Sequence, residues 1–154
     1  MDFILKTELG KDNSVFLDAY SIRLKVFCEG QGIPIENEID SLDDLAYHCV
    51  IYIEGKPVAC GRMLIEDNAA KLCRIAVLKS HRKNGYATYL CRHLISIAQQ
   101  NELEYVYLHA QTYISELYEK MGFISEGAVF LEEHIPHINM TKHLLNEVTQ
   151  KATF

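Results

Sequence analysis

Tryptophan is absent from this chain of 154 residues, proline appears three times and glycine eight. With so few breakers, no linker, repeat or low-complexity segment interrupts the sequence. No apolar run approaches the ~20 residues that cross a bilayer. The opening Met1-Asp2-Phe3-Ile4-Leu5-Lys6 has neither a basic leader nor a small-residue cleavage site, so it reads as a strand and not a signal. A cytoplasmic protein without a membrane partner is expected. Positive charge is also scarce. Fifteen Lys and Arg face twenty-one Asp and Glu, a net charge of −6, which argues against nucleic acid because a phosphate backbone needs a basic face. An acidic surface better suits cationic small molecules. The five cysteines, Cys28, Cys49, Cys60, Cys73 and Cys91, are odd in number, lie at least eleven residues apart and form no C-x-x-C pair. Neither a zinc site nor a redox pair follows. They read as small hydrophobes in a reducing compartment. Two nucleotide folds are excluded by missing motifs: no G-x-G-x-x-G follows the first strand, and no G-K-[ST] occurs.

What is present is ordinary globular material, 49% apolar and 23% charged, of a length that suits a single domain over residues 1–154. Phe3 to Glu8 reads as a first strand ended by Gly10. Asn13 or Ser14 can cap a helix running to Phe27, with Val15, Ala19, Ile22 and Val26 as its stripe. Cys28 to Asp40 reads as a loop, and Ser41 to Leu45 as a short helical turn. Three strands follow, His48 to Ile53, Val58 to Ile65 and Lys71 to Val77, and their short turns imply an antiparallel meander. Tyr86 to Gln100 is a strongly amphipathic helix through Ala87, Leu90, Cys91, Leu94, Ile97 and Ala98. Tyr105 to Ala110 looks like a strand buried on both faces. A helix from Tyr113 to Met121 stops at Gly122, and strands at Ile124 to Glu132 and His137 to Leu144 complete the chain. Mixed α/β (α+β) architecture around one central sheet results.

The most informative stretch is Arg82-Lys83-Asn84-Gly85-Tyr86-Ala87, lying between a strand and a helix. A helix start leaves its first N–H groups without intrahelical acceptors and carries partial positive charge, so an anion can settle there. Gly85 and Ala87 keep side chains out of the way, and Arg82 can add a charged clamp. A phosphate-bearing cofactor is the natural ligand. Leu117-Tyr118-Glu119-Lys120-Met121-Gly122-Phe123 is the second distinctive segment.

These two segments and the element order resemble the GNAT superfamily, the N-acetyltransferases that use acetyl-coenzyme A. The first is similar to the family's pyrophosphate motif after the fourth strand. The second is similar to its Phe/Leu-Tyr-x-x-x-Gly-Phe segment. Val26 to Pro34 and Glu133 to Met140 further resemble the small bacterial ElaA-like branch. The resemblance implies a mostly antiparallel sheet of about seven strands flanked by about four helices, with acetyl-CoA as co-substrate and no metal. It also implies that Ile75, Ala76 and Val77 offer backbone groups to the pantetheine arm. Arg82, Lys83, Asn84, Gly85, Tyr86 and Ala87 would hold the pyrophosphate. Many relatives dimerise, so a homodimer stays open.

Acetyl transfer to an amine needs a stabilised thioester oxygen, a neutral amine and a destination for the thiolate. The family picture assigns the first to a strand N–H near Ile75 or Ala76, and the third to Tyr118. Proton transfer from an ordinary tyrosine to a thiolate is uphill by only about 2 kcal/mol. By periodicity alone Tyr118 also fits a packed core position beside Ile114, Leu117 and Met121. An alkyl amine near pKa 10 is neutral in only about one molecule in a thousand at pH 7, so a base must help. Some relatives use a Glu near the start of the fourth strand, where this chain has Lys71. The remaining candidates are Glu36, Glu38, His48 and His137. His134 and His137 would point to opposite faces of a strand, which argues against a shared metal. The acidic run Glu36, Glu38, Asp40, Asp43 and Asp44 reads either as a solvated loop face or as a recruiter of a small-molecule or peptide amine. The reading is therefore an acetyl-CoA-dependent N-acetyltransferase, the alternative a non-catalytic acyl-CoA-binding sensor or interaction module.

Overall fold

A computed structural model describes residues 2–38 and 40–144. Seven strands form one mixed sheet in the order β1-β2-β3-β4-β5-β7-β6. They are β1 (Ile4–Leu9), β2 (Tyr47–Ile53), β3 (Lys56–Glu66), β4 (Ala69–Val77), β5 (Tyr105–Gln111), β6 (Ile124–Glu132) and β7 (Ile135–His143). The helices are α1 (Ser14–Arg23), α2 (Ile35–Glu38), α3 (Tyr86–Gln100) and α4 (Ser115–Glu119). By contacts the chain divides into two compact units, Met1–Leu64 with Cys73–Leu94, and Ile65–Leu72 with Ile95–Phe154.

In the first unit, the short turn at Glu54–Gly55 pairs β2 antiparallel with β3, whereas β1 reaches the other edge of β2, also antiparallel, through the helical segment between them. Asn13 caps α1, its side-chain oxygen accepting the Phe16 N–H at 2.8 Å. The stripe Val15, Ala19, Ile22 and Val26 then packs on Val50, Tyr52, Cys60 and Ala76. Each large apolar side chain so buried contributes about 1.5–3 kcal/mol. The helix does not stop at Phe27. It widens into a π-turn over Leu24–Glu29, in which the Gly30 N–H reaches back five residues to the Lys25 carbonyl at 3.0 Å. Gly30 is tied to this geometry, because a Cβ there would lie 2.5 Å from the Val26 carbonyl oxygen. The expected loop also contains α2, and the acidic run is only partly a solvated face: Glu36 and Asp44 are exposed and Asp40 is half-buried. Glu38 and Asp43 are buried.

What draws these acids inward is arginine. The Arg23 guanidinium, 1% exposed, donates to both Asp43 carboxylate oxygens at 2.8 and 3.1 Å and to the Glu38 carbonyl at 2.8 Å. Arg62 donates to Asp43 at 2.9 Å and to Asp40 at 2.8 Å. Arg74 Nε stands 2.9 Å from Glu38 Oε2. Three arginines from α1, β3 and β4 thus neutralise three acids from one loop, which is how so much charge can leave water.

In the second unit, β7 lies between β5 and β6, antiparallel to both. β5 pairs in parallel with β4 over Ala69–Leu72 against Tyr105–Leu108. β5 is buried on one face only. Val106, Leu108 and Ala110 face the core, whereas Tyr105, Tyr107, His109 and Gln111 are half-exposed. Tyrosine counts as apolar in a hydropathy reading, yet its hydroxyl tolerates water. His134 is not on a strand. With Glu133 it forms the two-residue β6–β7 turn, both at positive φ, 50° and 64°.

Candidate active site

A 3₁₀ turn, Lys79–His81, leads from β4 into the cradle. Lys83 and Gly85 both adopt left-handed backbone, φ 67° and 80°, so the chain reverses twice in three residues. The Asn84 side chain staples this loop by donating to the His81 and Arg82 carbonyls at 3.0 and 3.3 Å. Arg82 Nε donates to the Val77 carbonyl at 3.0 Å, tying the rim to the end of β4. The first i→i−4 bond of α3 runs from the Tyr89 N–H to the Gly85 carbonyl at 3.1 Å. The helix therefore supplies no acceptor for the three amides preceding Tyr89. Residues 82–85 are exposed, and a Cβ on Gly85 would meet only Tyr89 Cε2, at 4.0 Å. The mouth of α3 is open. Tyr86 is different. Its ring is buried edge-on against Phe3, centroids 5.8 Å apart, so its contribution to an anion is limited to backbone.

Upstream of the cradle, Arg74 carries φ 55° in mid-strand. Non-glycine residues hold such backbone at a cost of about 1–3 kcal/mol, and only when their surroundings enforce it. Here Glu38 holds the guanidinium, and the Cys60 thiol approaches the Arg74 carbonyl at 3.6 Å. Ile75, Ala76 and Val77 follow directly.

Tyr118 lies on α4 and is 4% exposed, its ring edge-on to Phe123 with centroids 6.0 Å apart. Gly122, at φ 96°, ends that turn.

Of the acceptor-side candidates, Glu36, Glu38 and His48 belong to the first unit and His137 to the second. Glu36 is exposed on α2. Glu38 and His48 are built into the buried arginine cluster, where the His48 Nε2–H donates to the Asp43 carbonyl at 2.8 Å. Burial pushes the Glu38 carboxyl up despite Arg74 and Arg23, and pushes the His48 imidazole down. Neither presents an accessible base, because the charges that drew them inward occupy them. His137 is 7% exposed on β7. Its Nδ1–H donates to the Ile135 carbonyl at 2.6 Å, and its Nε2 stands 3.7 Å from Glu132 Oε2. The other oxygen of Glu132 accepts from His109 Nδ1 at 2.8 Å. Phe130 packs edge-on to the His109 ring at 5.1 Å and stacks with the His137 ring at 6.0 Å. The sequence reading did not single out His109 or Glu132. Alternation along β5 placed His109 beside Tyr105 and Tyr107, but only the hairpin register brings Glu132 to it.

Residues 31–144 match the acetyltransferase (GNAT) domain family. The chain is 36% identical over 139 residues to YjcF of Bacillus subtilis, an N-acetyltransferase that is itself uncharacterized. That match spans 90% of this chain and 99% of YjcF. The crystal structure of an acyl-CoA N-acyltransferase from Pseudomonas aeruginosa superposes with TM-score 0.81 at 26% identity, covering 92% of this chain and 99% of that one. Escherichia coli ElaA gives TM-score 0.80 at 26% identity, with 92% and 99% covered. The small-residue turn opening an amphipathic helix and the seven-stranded mixed sheet agree with these likenesses, and the chain belongs to the GNAT family of acyl-CoA-dependent acyltransferases.

Proposed function

We propose that this protein moves the acetyl group of acetyl-CoA directly onto a primary amine. The observation that carries the reading is the mouth of α3, where positive φ at Lys83 and Gly85 turns the chain and a Cβ on Gly85 would meet only Tyr89 Cε2, at 4.0 Å. Backbone amides of Lys83 to Ala87 would hold the pyrophosphate, with Arg82 at the rim. Ile75, Ala76 and Val77 would pair with the pantetheine arm, and an N–H among them would stabilise the thioester oxyanion. The neutral amine nitrogen forms its bond to the carbonyl carbon and sheds a proton to solvent, the C–S electron pair leaves with sulfur, and the Tyr118 O–H gives its proton to that sulfur. Solvent then reprotonates the phenolate.

A cationic acceptor suits the net charge of −6. It also suits an open depression of about 500 Å³ whose lining includes Glu66, Asp67 and Glu126. Glu36 and His137 remain as acceptor-side groups, whereas Glu38 and His48 shape the loop that carries Glu36.

Acetyl-CoA at about 100 times its Kd should stabilise the fold by about 2.7 kcal/mol, a rise in Tm of several degrees. Free thiol should then appear with at least one amine of a broad panel. Binding without thiol release from any amine would favour the sensor alternative. Tyr118→Phe is expected to lower kcat at least about tenfold while the acetyl-CoA thermal shift persists. Undiminished turnover would remove the tyrosine from the mechanism.

A further inference from the structure

We propose that the outer edge of β1 is a homodimer interface, to which a second copy of this chain adds its own β1, antiparallel and centred on Thr7. β1 ends the strand order, so among the described residues it has one neighbouring strand, β2. The register shows which backbone groups are left over. Gly10 lies one step past the Leu9–Tyr47 pair, and its N–H donates to the carbonyl of Ala46 opposite it at 2.8 Å. Directly opposed residues of an antiparallel ladder alternate between bonded and unbonded pairs. Ile4, Lys6 and Glu8 therefore turn their N–H and carbonyl groups toward β2, and Leu5, Thr7 and Leu9 turn theirs outward.

An open edge invites another strand, and proteins commonly blunt it with a proline, a bulge or a lysine. β6, at the other end of the order, is interrupted by a register shift between Glu126 and Phe130, with Gly127 at φ 79°. From Ile4 to Leu9, β1 has no proline, no positive φ and no register shift. Lys6 alone would discourage pairing. Two residues on, however, Glu8 carries the opposite sign on the same face, and both side chains are exposed.

These charges select the register. A two-fold axis at Thr7 sets Lys6 opposite the second copy's Glu8, and Glu8 opposite its Lys6. Leu5 then meets Leu9, and Thr7 meets Thr7, so every outward residue of the strand finds a bonded partner. Centring on Leu5 would set Glu8 against Asp2, two like charges. Centring on Leu9 would carry Thr7 to Lys11, beyond the strand. Opposite charges facing each other across strands stabilise the pairing, and like charges weaken it. Apolar surface collects along the same edge. Ile4 and Leu9 are 60% and 58% exposed, and Tyr89, whose ring packs edge-on to Phe3 at 4.9 Å, is half exposed.

Sedimentation velocity of the full-length chain over a dilution series tests the interface. Wild type should sediment as a dimer that dissociates on dilution. Lys6→Glu places like charges at both symmetric positions, as does Glu8→Lys, and each should weaken dimerisation at least about tenfold. Mixing the two variants should restore the dimer, because one chain then presents two acids to the other's two lysines. The double variant Lys6→Glu with Glu8→Lys should dimerise by itself for the same reason. Amide hydrogen exchange on wild type should show the Leu5, Thr7 and Leu9 N–H groups protected in the dimer and unprotected after dilution. A wild type that stays monomeric overturns the inference, as does a dimer indifferent to both charge variants or one that mixing fails to restore. Free exchange of those three amides in the dimer would put the interface elsewhere. Their protection in a monomer would mean that the chain covers its own edge, which also overturns it. None of these outcomes depends on the acetylation reading.

Discussion

Asp43→Asn is expected to lower the melting temperature by about 6–20 °C. The carboxylate is 1% exposed and joins Arg23 at 2.8 and 3.1 Å and Arg62 at 2.9 Å. Asparagine keeps the shape but leaves two buried guanidinium groups facing a neutral amide. Removing one partner of a buried ion pair costs about 3–5 kcal/mol, because the remaining charge has lost its water and gained nothing. At this chain length each kcal/mol corresponds to about 2–4 °C.

The same residue gives the acid limb of stability its sign. Burial alone would push the Asp43 carboxyl up. Hydrogen bonds from Arg23 and Arg62 outweigh burial and hold it at about 2. Its folded value lies below the ordinary carboxylate value of about 4, so its contribution is complete above that pH and is lost as pH falls from about 4 through 2. The amount is of order 2 kcal/mol. Glu38 acts in the opposite sense. Burial raises it, so its contribution is present below the ordinary carboxylate value and disappears as pH rises through its folded value. His48, lowered by burial, sides with Asp43, stabilising at neutral pH and destabilising as acid charges it. Melting temperature measured from about pH 7 to 2 should therefore fall more steeply for wild type than for Asp43→Asn below about pH 4. Parallel curves would show that Asp43 is not the titrating group.

Gly85→Val is expected to weaken acetyl-CoA at least about 100-fold, or about 2.7 kcal/mol, while the unliganded protein loses only a few degrees. At φ 80° a β-branched residue is strained by about 1–3 kcal/mol, which accounts for the modest loss of stability. The larger effect comes from the cradle. A Cβ on Gly85 would come no closer than 4.0 Å to Tyr89 Cε2, so on the reading proposed above it intrudes on the diphosphate and not on the fold. Gly85→Ala should fall between valine and wild type. Isothermal titration with acetyl-CoA measures both variants, and an affinity within about twofold of wild type for Gly85→Val would place the diphosphate elsewhere.

Which features were legible in the sequence follows from how local their causes are. α3 begins and ends at Tyr86 and Gln100, as its periodicity and the preceding loop foretold. The β2–β3 hairpin and the Asn13 cap are likewise encoded within a few residues. The π-turn was invisible because its defining bond, from the Gly30 N–H to the Lys25 carbonyl, arises from backbone closeness and not from residue type. The burial of Glu38 and Asp43 within the acidic run was hidden for a different reason. Nothing near Glu38 or Asp43 announces that Arg23, Arg62 and Arg74 will converge on them from three separate elements. His109 and Glu132 lie twenty-three positions apart and meet only through hairpin register.

The Arg74 backbone carries a lesson for anyone who would retarget this enzyme. The kink at φ 55° is clamped by Glu38, a residue of the very segment an engineer would swap to admit a new acceptor. Transplanting that segment from a relative without its matching arginines would release the clamp and let the strand relax one residue ahead of Ile75, and on the reading proposed above thioester handling would then degrade along with selectivity. Grafts should succeed only as a block, with positions 23, 62 and 74 travelling together with 35–44.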